Sequence, residues 1–145
     1  MVDVSAKEST HRVARASCLV RTSAAPRQAR GPALTPDVIL SARLAGIHAA
    51  KRTADVIPLC HPLALSSVRL EVEANLRGFA VTCEVVTDAR TGVEMEALTA
   101  CSFAALVLVD SLVASDPDVR VEDLTLLRKS GGKSGVWGRD VPGTH

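Results

Sequence analysis

Two acidic residues, Glu94 and Glu96, stand at the start of a long apolar run that continues to Ala114. Carboxylates close together can act as general acid and general base, because each charge shifts the pKa of its neighbour. A simpler interpretation is a capping box, in which Thr91 and Glu94 satisfy backbone amides at a helix start, where the dipole also favours acids. The spacing alone leaves both interpretations open.

His61 is a further candidate for proton transfer, although it lies far from these acids in the sequence. The segment 57–63 contains Pro58 and Pro62, which bracket Leu59, Cys60 and His61 and prevent regular structure. We therefore predict a rigid loop that holds His61 in one place. A fixed histidine beside paired carboxylates would suit proton transfer, whereas the alternative is a plain surface loop.

Asp110 lies deep in the same apolar run, where a charge is costly unless it is paired or functional. It follows Glu96 by close to four helical turns, which is about 21 Å along one helix face. One chain cannot easily bring both carboxylates to a single reacting bond. Either the substrate is long or a neighbouring subunit supplies one of them, unless Asp110 simply faces solvent.

Basic residues occur in two places that suit anions. Lys51 lies at the C-terminal end of the first predicted helix, where a cation also suits the helix dipole without any further role. The glycine-rich segment 129–135 offers backbone amides and two ammonium groups, those of Lys129 and Lys133, to a phosphate-bearing ligand. It is not a Walker A loop, because Leu127 stands where the first glycine should fall. The alternative is a flexible tail.

The composition excludes several classes of function. Aromatic residues make up 2% of the chain and the net charge is +1, so neither a base-stacking platform nor a basic nucleic-acid or membrane footprint is expected. The four cysteines form no C-x-x-C pair, which indicates reduced thiols and a cytoplasmic protein. No leader is expected, the apolar run 101–109 is too short to span a bilayer, and no histidine pair has metal-ligand spacing. We expect no metal, and small molecules or copies of the same chain as partners.

The elements that must position these residues follow from periodicity and punctuation. Alternation predicts strands near 14–22, 68–72, 81–85 and 119–127, the last with Val119 and Val121, and also Leu124 and Leu126, facing inward. Thr35 and Pro36 predict the start of a helix that runs to about Arg52, and a second helix is expected over 92–114. Residues 23–32 form a basic surface loop. The order predicts one α+β domain over 1–145, a ferredoxin-like sandwich with two helices on one face of an antiparallel sheet, and a flexible glycine-rich tail from about 129.

Five ordered segments, 1–4, 45–53, 57–63, 91–100 and 129–135, together resemble the MoaC family of molybdenum cofactor biosynthesis. The resemblance implies a lyase that converts 3′,8-cyclo-7,8-dihydro-GTP into cyclic pyranopterin monophosphate and releases pyrophosphate. It also implies a ferredoxin-like fold, and a homohexamer built as a trimer of dimers, with each active site at a dimer interface. Such a shared site would bring the two ends of the long helix to one nucleotide-sized substrate. No cofactor is implied.

The resemblance also implies roles for individual residues. Those expected in catalysis are Asp110, Lys51, His61, Glu94 and Glu96. Those expected to bind substrate are Leu59, Cys60, His61, Met95, Glu96, Lys129, Lys133 and Arg12. The acids and His61 would move protons, and the cations would neutralise phosphate charge and stabilise the leaving pyrophosphate.

Two positions depart from the family pattern, because Thr35 and Val113 stand where the family has lysines. Three functional hypotheses follow. The chain is a synthase, weakened by the loss of two cations; or an inactive homologue that binds pterin or nucleotide phosphates or joins mixed oligomers; or a structural oligomerising domain without a ligand.

Overall fold

The computed structural model describes residues 1–23 and 34–139, so the predicted basic loop 23–32 lies outside the described residues apart from Ser23. The described elements follow the predicted order of strand, helix, strand, strand, helix and strand, with one additional short helix and one additional short strand. They are β1 (Thr10–Arg21), α1 (Pro36–Ala50), α2 (Thr53–Val56), β2 (Ser67–Asn75), β3 (Gly78–Ala89), α3 (Glu94–Leu112), β4 (Arg120–Ser130) and β5 (Trp137–Gly138).

The strands form one antiparallel sheet in the order β2-β3-β1-β4-β5. β1 lies in the centre and pairs with β3 along its whole length, from Thr10 opposite Ala89 to Arg21 opposite Gly78. Every second residue of β1 from Ala14 onward is buried, because successive side chains leave a strand on opposite faces and the helices cover one of them. The predicted ferredoxin-like α+β sandwich is confirmed.

The two long helices pack closely on each other and on the sheet. Thr35 caps α1 as predicted, and its hydroxyl accepts a hydrogen bond from the Val38 amide at 3.4 Å. A β-carbon added to Gly46 would lie 2.3 Å from Leu70 Cδ1 and 2.7 Å from the carbonyl oxygen of Ala100. This glycine therefore sets the distance at which α1 can approach α3 and β2.

β4 is less buried than predicted. Val119 and Leu126 pack against the core as predicted, whereas Val121 and Leu124 are 38% and 45% exposed. Val121 lies opposite the buried Val20 of β1 and therefore on the core face of the sheet as predicted, although it is not covered there. The exposure of Leu124 contradicts the prediction. The pairing of β4 with β1 contains two register shifts, and Asp123, the neighbour of Leu124, has a φ of 55°. Such bulges interrupt the alternation of a strand.

The glycine-rich tail is also more regular than predicted at its start. Lys129 belongs to β4, and β5 folds back to pair Trp137 with it. Between the two strands the Gly131 amide donates to the Gly135 carbonyl at 3.1 Å. The extent of the single domain over 1–145 stays a prediction.

α3, with 19 residues, is long and apolar enough to cross a membrane by length and composition alone. The expectation that no segment spans a bilayer considered only the shorter run 101–109. Half of the helix is buried inside the protein, against the sheet and α1. A helix buried in a protein core is apolar just as a membrane-spanning helix is. The packing of α3 therefore explains its apolar sequence.

Candidate functional site

The start of α3 does not form the capping box that the sequence allowed. The N-cap residue is Val93, which makes no side-chain capping bond, and the first intrahelical bond runs from the Ala97 amide to the Val93 carbonyl. Thr91 therefore lies two residues before the N-cap, too early to cap the helix. The capping interpretation was wrong, and Glu94 is free for a different contact.

That contact is an ion pair with Lys129. The Lys129 ammonium donates to Glu94 Oε1 at 3.0 Å, and both side chains are about two-thirds buried. Pairing of β4 with Ala14 of β1 on one side and with Trp137 on the other fixes the backbone of Lys129. An ion pair that water still reaches contributes at most about 1 kcal/mol to stability, so its main effect is to hold two charges in place.

Glu96 faces a different partner, because residues two apart on a helix do not share a face. It is 3% exposed, and among the described residues its Oε2 has no hydrogen-bond partner. Its Oε1 lies 4.0 Å from the Cys60 thiol sulfur. Burial raises the pKa of the Glu96 carboxyl, its own amide opposes that shift, and the charge of Glu94 adds to it. Glu96 therefore keeps its proton to a higher pH than a free glutamate and suits the role of an acid.

The loop 57–63 meets the start of α3 around a cavity of about 240 Å³. The loop is irregular as predicted, and the Cys60 amide donates to the Ile57 carbonyl at 3.0 Å. Burial, and secondarily the charge of Glu96, raise the pKa of the Cys60 thiol, so this cysteine stays neutral near pH 7. The residues that line the cavity are Val2, Leu59, Cys60, His61, Leu63, Thr91, Gly92, Glu94 and Met95.

A second, larger cavity of about 660 Å³ is lined by the N-terminal segment and the glycine-rich turn. Arg12, Lys7 and Lys133 face it with Glu8 as the one acid among its lining residues, so its charge suits an anion. The Arg12 guanidinium donates to the carbonyls of Ala89 and Arg90 at 3.0 and 3.3 Å. Bonds on one side hold the guanidinium still while its charge remains available.

One stretch of backbone contributes to both cavities. The carbonyls of Ala89 and Arg90 anchor Arg12 of the cationic cavity, and Gly92 and Met95 line the smaller one. The link between β3 and α3 therefore lines the smaller cavity and anchors the Arg12 side chain of the larger one.

The comparisons with known proteins decide the family. The sequence model of the MoaC family matches residues 1–132. This chain belongs to the MoaC family. It is similar to proteins named cyclic pyranopterin monophosphate synthase: 51% identical to that of Methylobacterium sp. (strain 4-46), over 97% of this chain and 90% of the relative. It is 50% identical to that of Nostoc sp. (strain PCC 7120 / SAG 25.82 / UTEX 2576), over 98% and 87%, and 49% identical to that of Streptomyces coelicolor, over 96% and 83%.

Within this MoaC chain, two of the predicted catalytic residues lie apart from the rest. Lys51 is the exposed C-cap of α1 and lines neither of the two cavities. Asp110 is exposed near the far end of α3, about 21 Å along the helix from Glu96. A single chain therefore brings together the loop, the start of α3 and Lys129, but neither Lys51 nor Asp110.

The two departures from the MoaC pattern have local structural contexts. Thr35 is the N-cap of α1, and Val113 is the C-cap of α3 with 47% of its surface exposed. Neither position carries a cation here. The sequence did not lead us to predict that Lys7 and Gly92 line these cavities. The only signals were that Lys7 lies close to the N-terminal motif and that Gly92 precedes Glu94 by two residues.

No metal centre is evident in the part of this MoaC chain that the structure describes, where no group of three or more histidine, cysteine, aspartate or glutamate side chains has a geometry suited to an ion. All four cysteines are free thiols.

Proposed function

We propose that this chain is a cyclic pyranopterin monophosphate synthase, which converts 3′,8-cyclo-7,8-dihydro-GTP into cyclic pyranopterin monophosphate and pyrophosphate in molybdenum cofactor biosynthesis. The relatives that carry this name are about half identical over nearly the whole chain. The observation that carries the proposal is the convergence of the loop 57–63 with Glu94 and Met95 around one cavity, beside an ion-paired Lys129.

Glu96 and His61 divide the proton transfers between them in this proposal. Glu96 does not line the cavity, but it is buried behind Cys60, which does, and its raised pKa suits a proton donor. His61 lines the cavity and is the second candidate for proton transfer as the substrate ring opens and the pterin ring closes. Leu59, Cys60 and Met95 provide the surface against which the ring system binds.

The cations receive the phosphates. Arg12 and Lys133 face the larger cavity, and Lys129 joins the two halves through its bond to Glu94. Charged groups held in place before the reaction stabilise the negative charge that collects on the leaving pyrophosphate without further reorganisation. Lys129 can exchange its contact with Glu94 for one with a phosphate oxygen.

Asp110 and Lys51 enter the site from another subunit in this proposal, which includes a homohexamer arranged as a trimer of dimers. Asp110 shares one face of α3 with Phe103, Leu106 and Val113, which are 41%, 56% and 47% exposed. A groove of about 680 Å³ lined largely by apolar side chains, Leu44 among them, continues this face between α1, α2 and α3. An exposed apolar patch of this kind is typical of a protein interface, and an aspartate within it would be buried on assembly.

The free thiols agree with a reducing compartment, and we propose a cytoplasmic location. The ligand in this proposal is the GTP-derived small molecule, with no nucleic-acid or membrane partner.

Incubation of the purified chain with the cyclised GTP substrate tests the proposed activity, with the pterin product and pyrophosphate measured together. We expect both products in equal amounts, and Glu96→Gln to abolish most of the turnover. Asp123→Asn, on an exposed position of β4, is the matched control and should leave the rate unchanged. Absence of both products from the unmodified chain, with a substrate that an established synthase consumes, would contradict the proposal.

A second candidate, an inactive homologue, is favoured by one observation, the lack of lysine at Thr35 and Val113. Binding of a GTP analogue without turnover of the true substrate would select it. Failure to bind the analogue at all would select the structural oligomerising domain.

A further inference from the structure

Gly92 lies two residues before Glu94 and has an ordinary backbone conformation. Four glycines in the described residues have a φ in the left-handed region, and Gly92 is not one of them. A left-handed φ therefore does not explain the glycine at this position. The reason for glycine at this position lies in the space above its α-carbon.

That space is occupied by the carboxylate of Glu94. A β-carbon added to Gly92 would lie 1.9 Å from Glu94 Oε2, 2.7 Å from Cδ and 2.9 Å from Oε1. These are the three nearest atoms, and all belong to one side chain. The Glu94 side chain therefore folds back over the α-carbon of Gly92, and in that position its Oε1 reaches the Lys129 ammonium at 3.0 Å.

We propose that Gly92 is a positioning residue, whose missing side chain lets the Glu94 carboxylate fold back and hold Lys129 beside the cavity. This inference deepens the proposed function, on which its kinetic part rests. Val93 makes no side-chain capping bond and Thr91 does not cap the helix, so a helix cap does not orient Glu94. Alanine at position 92 displaces the carboxylate and releases the ammonium.

A double-mutant cycle tests the proposal. We expect Gly92→Ala to lower kcat/KM roughly 10- to 100-fold, the range for loss of a charge-assisted hydrogen bond. We expect no further loss when Gly92→Ala is added to Glu94→Ala, because there the carboxylate to be displaced is already absent. Gly138→Ala is the matched control, since its added β-carbon would meet the Leu127 carbonyl at an ordinary 3.8 Å.

A measurement that needs no turnover separates this proposal from the proposed function. Reductive methylation of Lys129, quantified by peptide mass spectrometry against the amino group of the exposed Met1, should be several-fold faster in Gly92→Ala than in the unmodified chain. If the unmodified chain consumes no substrate while this acceleration is observed, the positioning role stands and the proposed function fails.

Three results would overturn the positioning role. The first is unchanged methylation of Lys129 in Gly92→Ala, and the second is an equal loss of kcat/KM from Gly92→Ala with and without Glu94. The third is loss of the folded state in Gly92→Ala, because only the flexible end of the Glu94 side chain opposes the added carbon.

Discussion

Mixing two inactive variants distinguishes a site within one chain from a site between subunits. Glu96 is buried beside the loop 57–63, and Asp110 is exposed about 21 Å further along α3. If both act on one substrate, they come from different chains of a dimer. We therefore expect Glu96→Gln and Asp110→Asn to be inactive alone and to regain activity when co-expressed.

The expected magnitude follows from the two-fold symmetry of a dimer. Random assembly of equal amounts makes half of the dimers mixed, and one of the two sites in each mixed dimer has both carboxylates, so roughly a quarter of the wild-type activity returns. The reciprocal mixture of the wild-type chain with Glu96→Gln/Asp110→Asn also retains roughly a quarter if sites are shared, but roughly half if each chain has its own site.

Turnover per chain, measured on mixtures whose composition is checked by intact-mass spectrometry, is the assay. Sedimentation at the same concentrations shows that the variants still assemble. Zero activity in the first mixture together with roughly half in the reciprocal one would refute the shared site. Asp110 would then act outside the reaction, or not at all.

Three further predictions concern the acids and the missing cations. Glu96→Gln should lower kcat by roughly 10²- to 10⁴-fold. We expect the rate of the unmodified chain to fall as pH rises through the raised pKa of Glu96, and this fall should be absent in Glu96→Gln; a pH profile that keeps it would contradict the assignment of Glu96 as the acid. Lysine restored at Thr35 and Val113 should raise kcat/KM by roughly tenfold per cation, and an unchanged value would mean that the cations do not limit turnover. Asp116, whose pKa is lowered from 3.8 to about 2 chiefly by the hydroxyl of Thr22, should stabilise the fold above pH 4 and lose this effect as pH falls towards 2; urea unfolding of Asp116→Asn should show lower stability at pH 7 and a weaker acid dependence.

The fold could be predicted from the sequence wherever local signals agreed with one another. The alternation in β1, the threonine and proline at the start of α1 and the prolines around His61 each act through nearby atoms, and the structure has each of them as predicted. β4 could not be predicted in the same way. Its bulges depend on pairing with β1, so the register shift beside the exposed Leu124 has no signal in the segment itself.

The sequence predicted which residues belong to the candidate site better than it predicted the contacts between them. Motif residues on the loop 57–63 and at the start of α3 do line one cavity. The bond between Glu94 and Lys129 was not foreseen, because it joins residues 35 apart through the sheet, and a local capping box offered Glu94 a nearer partner. The sequence pattern of one chain also does not show where Asp110 and Lys51 act, since both are exposed in the single chain.

The central position of β1 has a consequence for how the protein is made. Arg12 comes from the first strand, and Lys129 and Lys133 come from the end of the last long strand and the turn after it, and they meet only when β4 pairs with β1. During synthesis a growing chain can form the β1–β3 ladder and α3 long before β4 has left the ribosome. The cationic half of the site is therefore the last part to assemble, since pairing so distant in sequence waits for the whole chain. An incomplete chain would therefore lack the cationic half of the site.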